Sequence, residues 1–223
     1  MSLAVGKIEA VHVGPVQYYT TPAGATASDG PRGEWVSGIQ KLPISGAVMV
    51  RTNGLDGDGQ ADLVVHGGPD GAVMAYAASH YPLWEKQIGR PLAFGSFGEN
   101  LTVTGFDDST VCLGDVWAVG DEVLLQVTQP RQPCYKLARR LGEPRIIKWI
   151  TEQCNGGWYF RVLREGRVAS GMPIRQVEQG LRQWPVNEAV RVMYARVREP
   201  DAARRLGDAE PLSSRWKQAL ADV

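Results

Sequence analysis

The chain has 223 residues, enough for one sizeable domain or a main domain with a small appendage. Its 24 basic and 24 acidic side chains cancel, which removes the global positive field used to recruit nucleic acid. No apolar run approaches the roughly 20 residues that a membrane-spanning helix needs.

The N-terminus lacks a long apolar signal core and reads as the opening of a first strand, Ala4–Val13. Thr20–Gly33, rich in Thr, Ala, Gly and Pro, reads as a mobile loop. A strand is predicted at Ala47–Arg51. Asp70 is placed to cap a helix over Gly71–Ser79, whose Val73, Tyr76 and Ala77 share a face, and Pro82 to open a helical turn through Gln87. Strands follow at Asn100–Val103, Val116–Val119 and Val123–Gln129, the last two joined by Gly120-Asp121. Lys136–Leu141 with Gly142 behind it reads as a short helix with a glycine stop. Pro144 opens a helix over Arg145–Cys154, carrying Ile146, Ile147 and Ile150 and stopped by Asn155-Gly156. Trp158–Leu163 is expected to turn through Arg164-Glu165-Gly166 and pair with Arg167–Ser170 as a hairpin.

Beyond about residue 175 the pattern turns helical. Glu188–Arg196 has helical spacing, Asp201 is placed to cap Ala202–Leu206 before Gly207, and Ser213 or Ser214 to cap Arg215–Asp222. Strands and helices do not alternate evenly, which argues against a doubly wound sheet. The fold class expected is mainly β with helical inserts. It comprises a distorted antiparallel-rich β-barrel over residues 1–175 and a three-helix module over 176–223, whose own core is too small to stand alone.

Three cysteines, Cys112, Cys134 and Cys154, are widely spaced and form no CxxC pair. That argues against a disulfide framework or a structural zinc site and for a reducing compartment, the cytoplasm. Cys134 sits in Gln129-Pro130-Arg131-Gln132-Pro133-Cys134-Tyr135-Lys136-Leu137, at a strand-to-helix junction with Arg131 and Lys136 close by. A helix N-terminus and two cations favour thiolate over thiol, which suits a nucleophile or a soft-metal ligand; an inert thiol is the bland alternative. Cys112 and Cys154 read as small core residues.

His66-Gly67-Gly68-Pro69-Asp70 is a second candidate site, because a histidine and glycine N–H groups at a turn can face an anion; an exposed turn is the plain alternative. His80 reads as a helix-end packing residue, and His12 carries no functional signal. In Gly98-Glu99-Asn100, the two polar side chains either enter a cavity or satisfy their own loop. Gly54–Asp62 resembles a calcium loop but lacks the closing glutamate and exiting helix, so that reading is rejected. GxGxxG, the P-loop, GxSxG and HExxH are all absent, and three scattered cysteines cannot build a four-cysteine iron–sulfur site.

The ordered set of Gly54–Asp58, Ala61-Asp62, His66–Asp70 with Tyr76 and His80-Tyr81, Gly98–Leu101, Gly114-Asp115, Gln129–Leu137 and Gly156–Val162 resembles the MOSC-domain family, related to the C-terminal domain of molybdenum-cofactor sulfurases. The likeness spans roughly residues 40–175 and is to the subgroup associated with resistance to 6-hydroxylaminopurine. The resemblance implies a β-barrel with a cleft for a molybdopterin-type cofactor and Cys134 as the molybdenum ligand. Arg131, Lys136 and the Gly67-Gly68 backbone are then candidates to balance the cofactor's negative charge, with Arg161 a further one, while His66 and Asn100 are candidates to position oxygens.

The implied activity is reduction of a small N-hydroxylated substrate, with electrons from a separate reductase, since the chain carries no flavin or iron–sulfur motif. The alternative is a carrier of molybdenum cofactor or sulfur; the absence of a large pyridoxal-phosphate-dependent domain argues against a complete sulfurase but not against a carrier. Two further rivals are a metal-free enzyme pairing Cys134 with His66 and a degenerate interaction module. Neither nucleic acid nor membrane is an expected partner, and the helical tail is compatible with a homodimer.

Overall fold

The computed structural model describes residues 4–21, 33–61 and 68–222. In chain order the strands and helices are β1 (Val5–Val13), β2 (Gln17–Thr20), β3 (Glu34–Ser37), β4 (Leu42–Pro43), β5 (Val48–Arg51), β6 (Gly54–Leu55), β7 (Val73–Ala77), α1 (Tyr81–Ile88), β8 (Leu101–Thr104), β9 (Val116–Val119) and β10 (Val123–Pro130). They continue with α2 (Tyr135–Leu141), α3 (Ile146–Gln153), β11 (Trp158–Arg164), β12 (Gly166–Val168), β13 (Pro173–Glu178), α4 (Val186–Ala195), α5 (Pro200–Gly207) and α6 (Ser214–Ala221).

Seven strands close a barrel in the order β13-β9-β10-β11-β7-β8-β1, with β1 returning to pair β13. Every pair is antiparallel except β7 with β8, which run parallel around Ala75 and Leu101. The mainly β, antiparallel-rich barrel expected from the sequence is therefore the fold. Its last strand crosses residue 175, so barrel pairing continues to Glu178.

Residues 71–79 are a correction. Pro69–Gly71 form a single 3-10 turn, and Val73–Ala77 are a fully buried strand. Side chains alternate along it. Val73, Ala75 and Ala77 enter the barrel core, while Met74 and Tyr76 face an outer cluster with Tyr81, Trp84, Phe97, Leu137, Ile146 and Ile150. A strand covered on both faces reads as a continuous apolar run, and helical spacing within that run is accidental. α1, α2 and α3 supply the outer cover.

The hairpin expected after Trp158–Leu163 is also absent. Only Glu165 separates β11 from β12, too little chain for a two-residue turn, and β12 pairs with β5 instead. Glu165 draws the chain that way, with Oε1 accepting from Thr52 N–H at 2.8 Å and Thr52 Oγ1–H at 2.9 Å.

The C-terminal helices share the barrel core: Val186, Ala189, Leu206, Trp216 and Leu220 belong to one buried cluster with Trp117 and Phe160. Ser213 caps α6, its hydroxyl accepting from Trp216 N–H at 3.3 Å and donating to Gln129 Oε1 at the end of β10. No helix among the described residues is long and apolar enough to cross a membrane.

Candidate functional site

β10 ends at Pro130, and Gln132-Pro133 lead without regular secondary structure to Cys134, the extended N-cap of α2. The path is locked from the other side by Gly157. Its carbonyl accepts from Arg131 N–H at 2.8 Å, its own N–H donates to Asp108 Oδ1 at 2.8 Å, and a Cβ there would lie 2.4 Å from Ala75 O. With φ at +83°, only glycine fits without strain and collision. The Gly156-Gly157 motif thus serves to bring β11 close enough to β7 to fix the loop that bears Cys134.

α2 then gathers the surrounding loops. Lys136 Nζ donates to Val36 O at 2.9 Å, and Arg140 donates from Nε to Ser96 O and from Nη2 to Gly95 O, both at 2.9 Å. Arg139 lies between the rings of Trp35 and Tyr135, about 5 Å from each centroid. The β2–β3 hairpin and the loop before β8 are held against one short helix by these contacts.

Between them lies a cleft over the outward side of β7 and β11. Cys134, Arg131, Lys136, Lys41, Asp58, Asn100, Gln132, Met74 and Tyr159 are in its walls, together with Ser37–Ile39, Gly59–Ala61 and Phe97-Gly98. Three cations face one carboxylate. Arg131 is buried, and its Nη2 donates to Phe97 O at 3.2 Å, whereas its Nη1 has no hydrogen-bond partner among the described residues. Leaving a buried charged donor unmade costs on the order of 1–3 kcal/mol or more, so a ligand that accepts from Nη1 recovers that energy.

The expected site residues divide clearly. Cys134, Arg131, Lys136 and Asn100 come together in the cleft. Asn100 is already engaged: Nδ2 donates to Asp58 Oδ2 at 2.9 Å and His12 O at 3.3 Å, while Oδ1 accepts from Met74 N–H at 3.0 Å. Its work is to hold Asp58 and the β1–β7–β8 junction. Arg161 does not line the cleft: its Nε and Nη2 donate to Asp70 Oδ1 at 2.9 and 2.6 Å and its Nη1 to Gln126 Oε1 at 3.2 Å. Asp70 also accepts from Ser214 N–H at 3.2 Å, so this pair ties the turn before β7 to β11 and α6. Gly68 has φ +74°, no atom of the described residues lies within 4 Å of where its Cβ would be, and it does not line the cleft; Gly71 does. His66 and Gly67 lie outside the described residues.

Other readings resolve as well. Glu99 satisfies its own loop, accepting from Tyr81 OH, from Gly95 N–H at 2.8 Å, from Thr102 Oγ1–H at 2.8 Å and from Phe97 N–H at 3.1 Å. His80 packs on Tyr76 and bonds Asp108 at 2.8 Å. Burial pushes the Cys112 thiol up to about 11 and raises that of Cys154, which keeps both protonated and inert near neutral pH. Not singled out as site residues from the sequence were Lys41 and Asp58, an ion pair buried in the cleft wall. Asp58 lies in the rejected calcium loop; its Gly-Asp-Gly setting, an acid at a turn fixed by glycines, was the available signal.

Comparison with known proteins places this architecture. Residues 62–175 match the MOSC domain model. The chain belongs to the MOSC domain family. It is 44% identical to YflK of Bacillus subtilis over 184 residues, covering 82% of this chain and 83% of YflK. It is 38% identical to a Gibberella moniliformis protein named "Reductase" over 167 residues, which is 74% of this chain but 30% of that protein. Among solved structures, YiiM from Geobacillus stearothermophilus superposes with a TM-score of 0.79 at 31% identity, covering 97% of this chain and 98% of YiiM. These likenesses support a molybdenum-cofactor-associated function for this MOSC protein.

Proposed function

We propose that the cleft holds a molybdenum cofactor through the Cys134 thiolate and reduces small N-hydroxylated compounds, such as 6-hydroxylaminopurine, to the corresponding amines. The observation that carries this reading is the unpartnered Nη1 of buried Arg131 in the same cleft as Cys134. A buried donor of that kind calls for an anionic ligand, and a pterin phosphate and dithiolene are anionic.

The donor set also fits. No group of three or more His, Cys, Asp and Glu side chains able to hold a metal occurs among the described residues. A single thiolate in a cationic cleft suits a metal that arrives with its own sulfur ligands rather than one caged by protein. When bound, the cofactor supplies a two-electron redox centre.

The residues of this chain do the rest. Arg131 and Lys136 neutralise the anionic group, and Asn100 holds Asp58 in the wall. Electrons come from a separate reductase, because no flavin or iron–sulfur motif is present in the sequence. The relative named "Reductase", matched over under a third of its length, supports a reductive role.

The test is turnover by protein purified from molybdenum-replete cells, with 6-hydroxylaminopurine as oxidant and a reduced viologen as electron source. Adenine formation by the native protein, absent from Cys134→Ala, is the expected result. Delivery of bound cofactor to an apo-enzyme with no adenine formed would make the protein a carrier instead.

A further inference from the structure

We propose that Lys41 is the proton donor of this cleft and Asp58 the positioning residue that holds it; the proposal rests on the reading of the site as a reductase of N-hydroxylated compounds. Lys41 lies just before β4 and Asp58 just after β6, and Lys41 Nζ donates to Asp58 Oδ1. Their side chains are only 8% and 4% exposed, yet both line the cleft that contains Cys134.

Stability alone does not account for such a pair, since desolvating two charges offsets much of their attraction and apolar replacements are often as stable. The pair is also unevenly furnished. Asp58 is fixed by two further donors, Gly14 N–H at 2.8 Å and Asn100 Nδ2 at 2.9 Å. The ammonium spends one of its three N–H groups on Asp58, and no second acceptor contacts it among the described residues. An anchored carboxylate therefore presents a lysine with hydrogens to give at the wall of a reaction cleft.

The charges around Lys41 suit that task. Burial lowers its pKa, Asp58 and Glu99 restore part of the loss, and Arg140 lowers it further. Arg131 and Lys136 share the cleft, and the His12 ring, itself sensing Lys41, Glu99 and Arg140, lies behind it. A lysine brought down from its ordinary range is a better acid at neutral pH than an exposed one.

The chemistry balances as R–NHOH + 2 e⁻ + 2 H⁺ → R–NH2 + H2O. The N–O bond breaks and its electron pair leaves with oxygen. That oxygen takes a proton from Lys41 Nζ and departs as water, while solvent protonates the nitrogen. Two equivalents of a one-electron donor of the reduced-viologen class are oxidised, and the neutral lysine recovers its proton from solvent.

The experiment compares molybdenum-loaded native protein with Lys41→Arg and Asp58→Asn, measuring 6-hydroxylaminopurine reduction per molybdenum against pH. It also follows the Lys41 ammonium by nitrogen-15 NMR of lysine-labelled protein. A guanidinium keeps the charge but does not release a proton at neutral pH. Lys41→Arg is therefore expected to keep its molybdenum, lose about 100-fold or more in turnover, and lack the alkaline limb of the native pH profile. The resonance missing from Lys41→Arg should titrate below those of exposed lysines in native protein and move again in Asp58→Asn.

Unchanged turnover and an unchanged alkaline limb in loaded Lys41→Arg overturn the proposal while leaving the reductase reading intact. Loaded native protein that forms no adenine overturns the reductase reading, and the proton donor with it. If Lys41→Arg fails to fold, Lys41→Ala takes its place. Turnover restored by ethylammonium supports the proposal, and full turnover without added amine overturns it.

Discussion

Asn100 and Asp58 are joined across the cleft wall by a 2.9 Å hydrogen bond from Nδ2 to Oδ2, although they lie 42 residues apart in sequence. Asn100 also exchanges bonds with Met74: its backbone N–H donates to Met74 O at 2.9 Å, and its Oδ1 accepts from Met74 N–H at 3.0 Å. One amide side chain thus connects the start of the parallel β7–β8 pairing to the carboxylate that anchors Lys41.

Replacing Asn100 with alanine strands Met74 N–H and removes a donor from Asp58, both buried. Each lost partner costs about 1–3 kcal/mol, so Asn100→Ala is expected to lower unfolding free energy by a few kcal/mol. Urea unfolding at neutral pH measures it. A change below about 0.5 kcal/mol would show that the network carries no load.

Arg131→Met should separate retention of the cofactor from stability. The variant loses the bond to Phe97 O but also the unpartnered Nη1. These effects offset, leaving stability within about 1 kcal/mol of native, while molybdenum and pterin content falls severalfold. Unchanged pterin with a collapsed melting temperature would make Arg131 structural.

Arg161→Ala should do the opposite. The Arg161–Asp70 pair is partly exposed, 29% on each side, and solvent screens it, so the loss is expected to be about 1 kcal/mol with cofactor content unchanged. Metal analysis beside thermal melting decides it. Loss of molybdenum at full stability would return Arg161 to the site.

Arg161 and Asn100 also show where the sequence was legible and where it was not. Strand-to-helix punctuation located Cys134 beside Arg131 and Lys136, because prolines and a glycine stop act locally. Ser213 was equally readable as a cap. The Arg161–Asp70 pair spans 91 residues, and nothing local distinguishes an arginine facing a cleft from one turned to a carboxylate on the turn before β7. β7 was mistaken for a helix because its two faces meet two different cores, a tertiary fact that erases alternation. Lys41 and Asp58 escaped for the same reason: each is an ordinary surface-type residue until the fold buries both.

His12 gives the pH dependence. It is buried, and desolvation holds its pKa below 6.5, with Arg140 and Lys41 adding to the lowering and Glu99 and the Phe94 carbonyl opposing it. Below pH 6.5 the unfolded chain takes up a proton that the folded ring resists. Its stabilising contribution is therefore full above 6.5 and is lost as pH falls through the folded value. Denaturation midpoints should fall with pH on that side, and His12→Leu should flatten the slope. An identical slope in His12→Leu would assign it to other groups.

The central claim is that Cys134 holds the metal of a pterin cofactor, and elemental and pterin analysis of native protein beside Cys134→Ala, both from molybdenum-replete cells, tests it most directly. Cys134 is partly exposed at the N-cap of α2, so the substitution should leave the melting temperature of cofactor-free protein close to native. The account predicts molybdenum in the native protein and its loss from Cys134→Ala at unchanged fold. Equal molybdenum in the two proteins would contradict it.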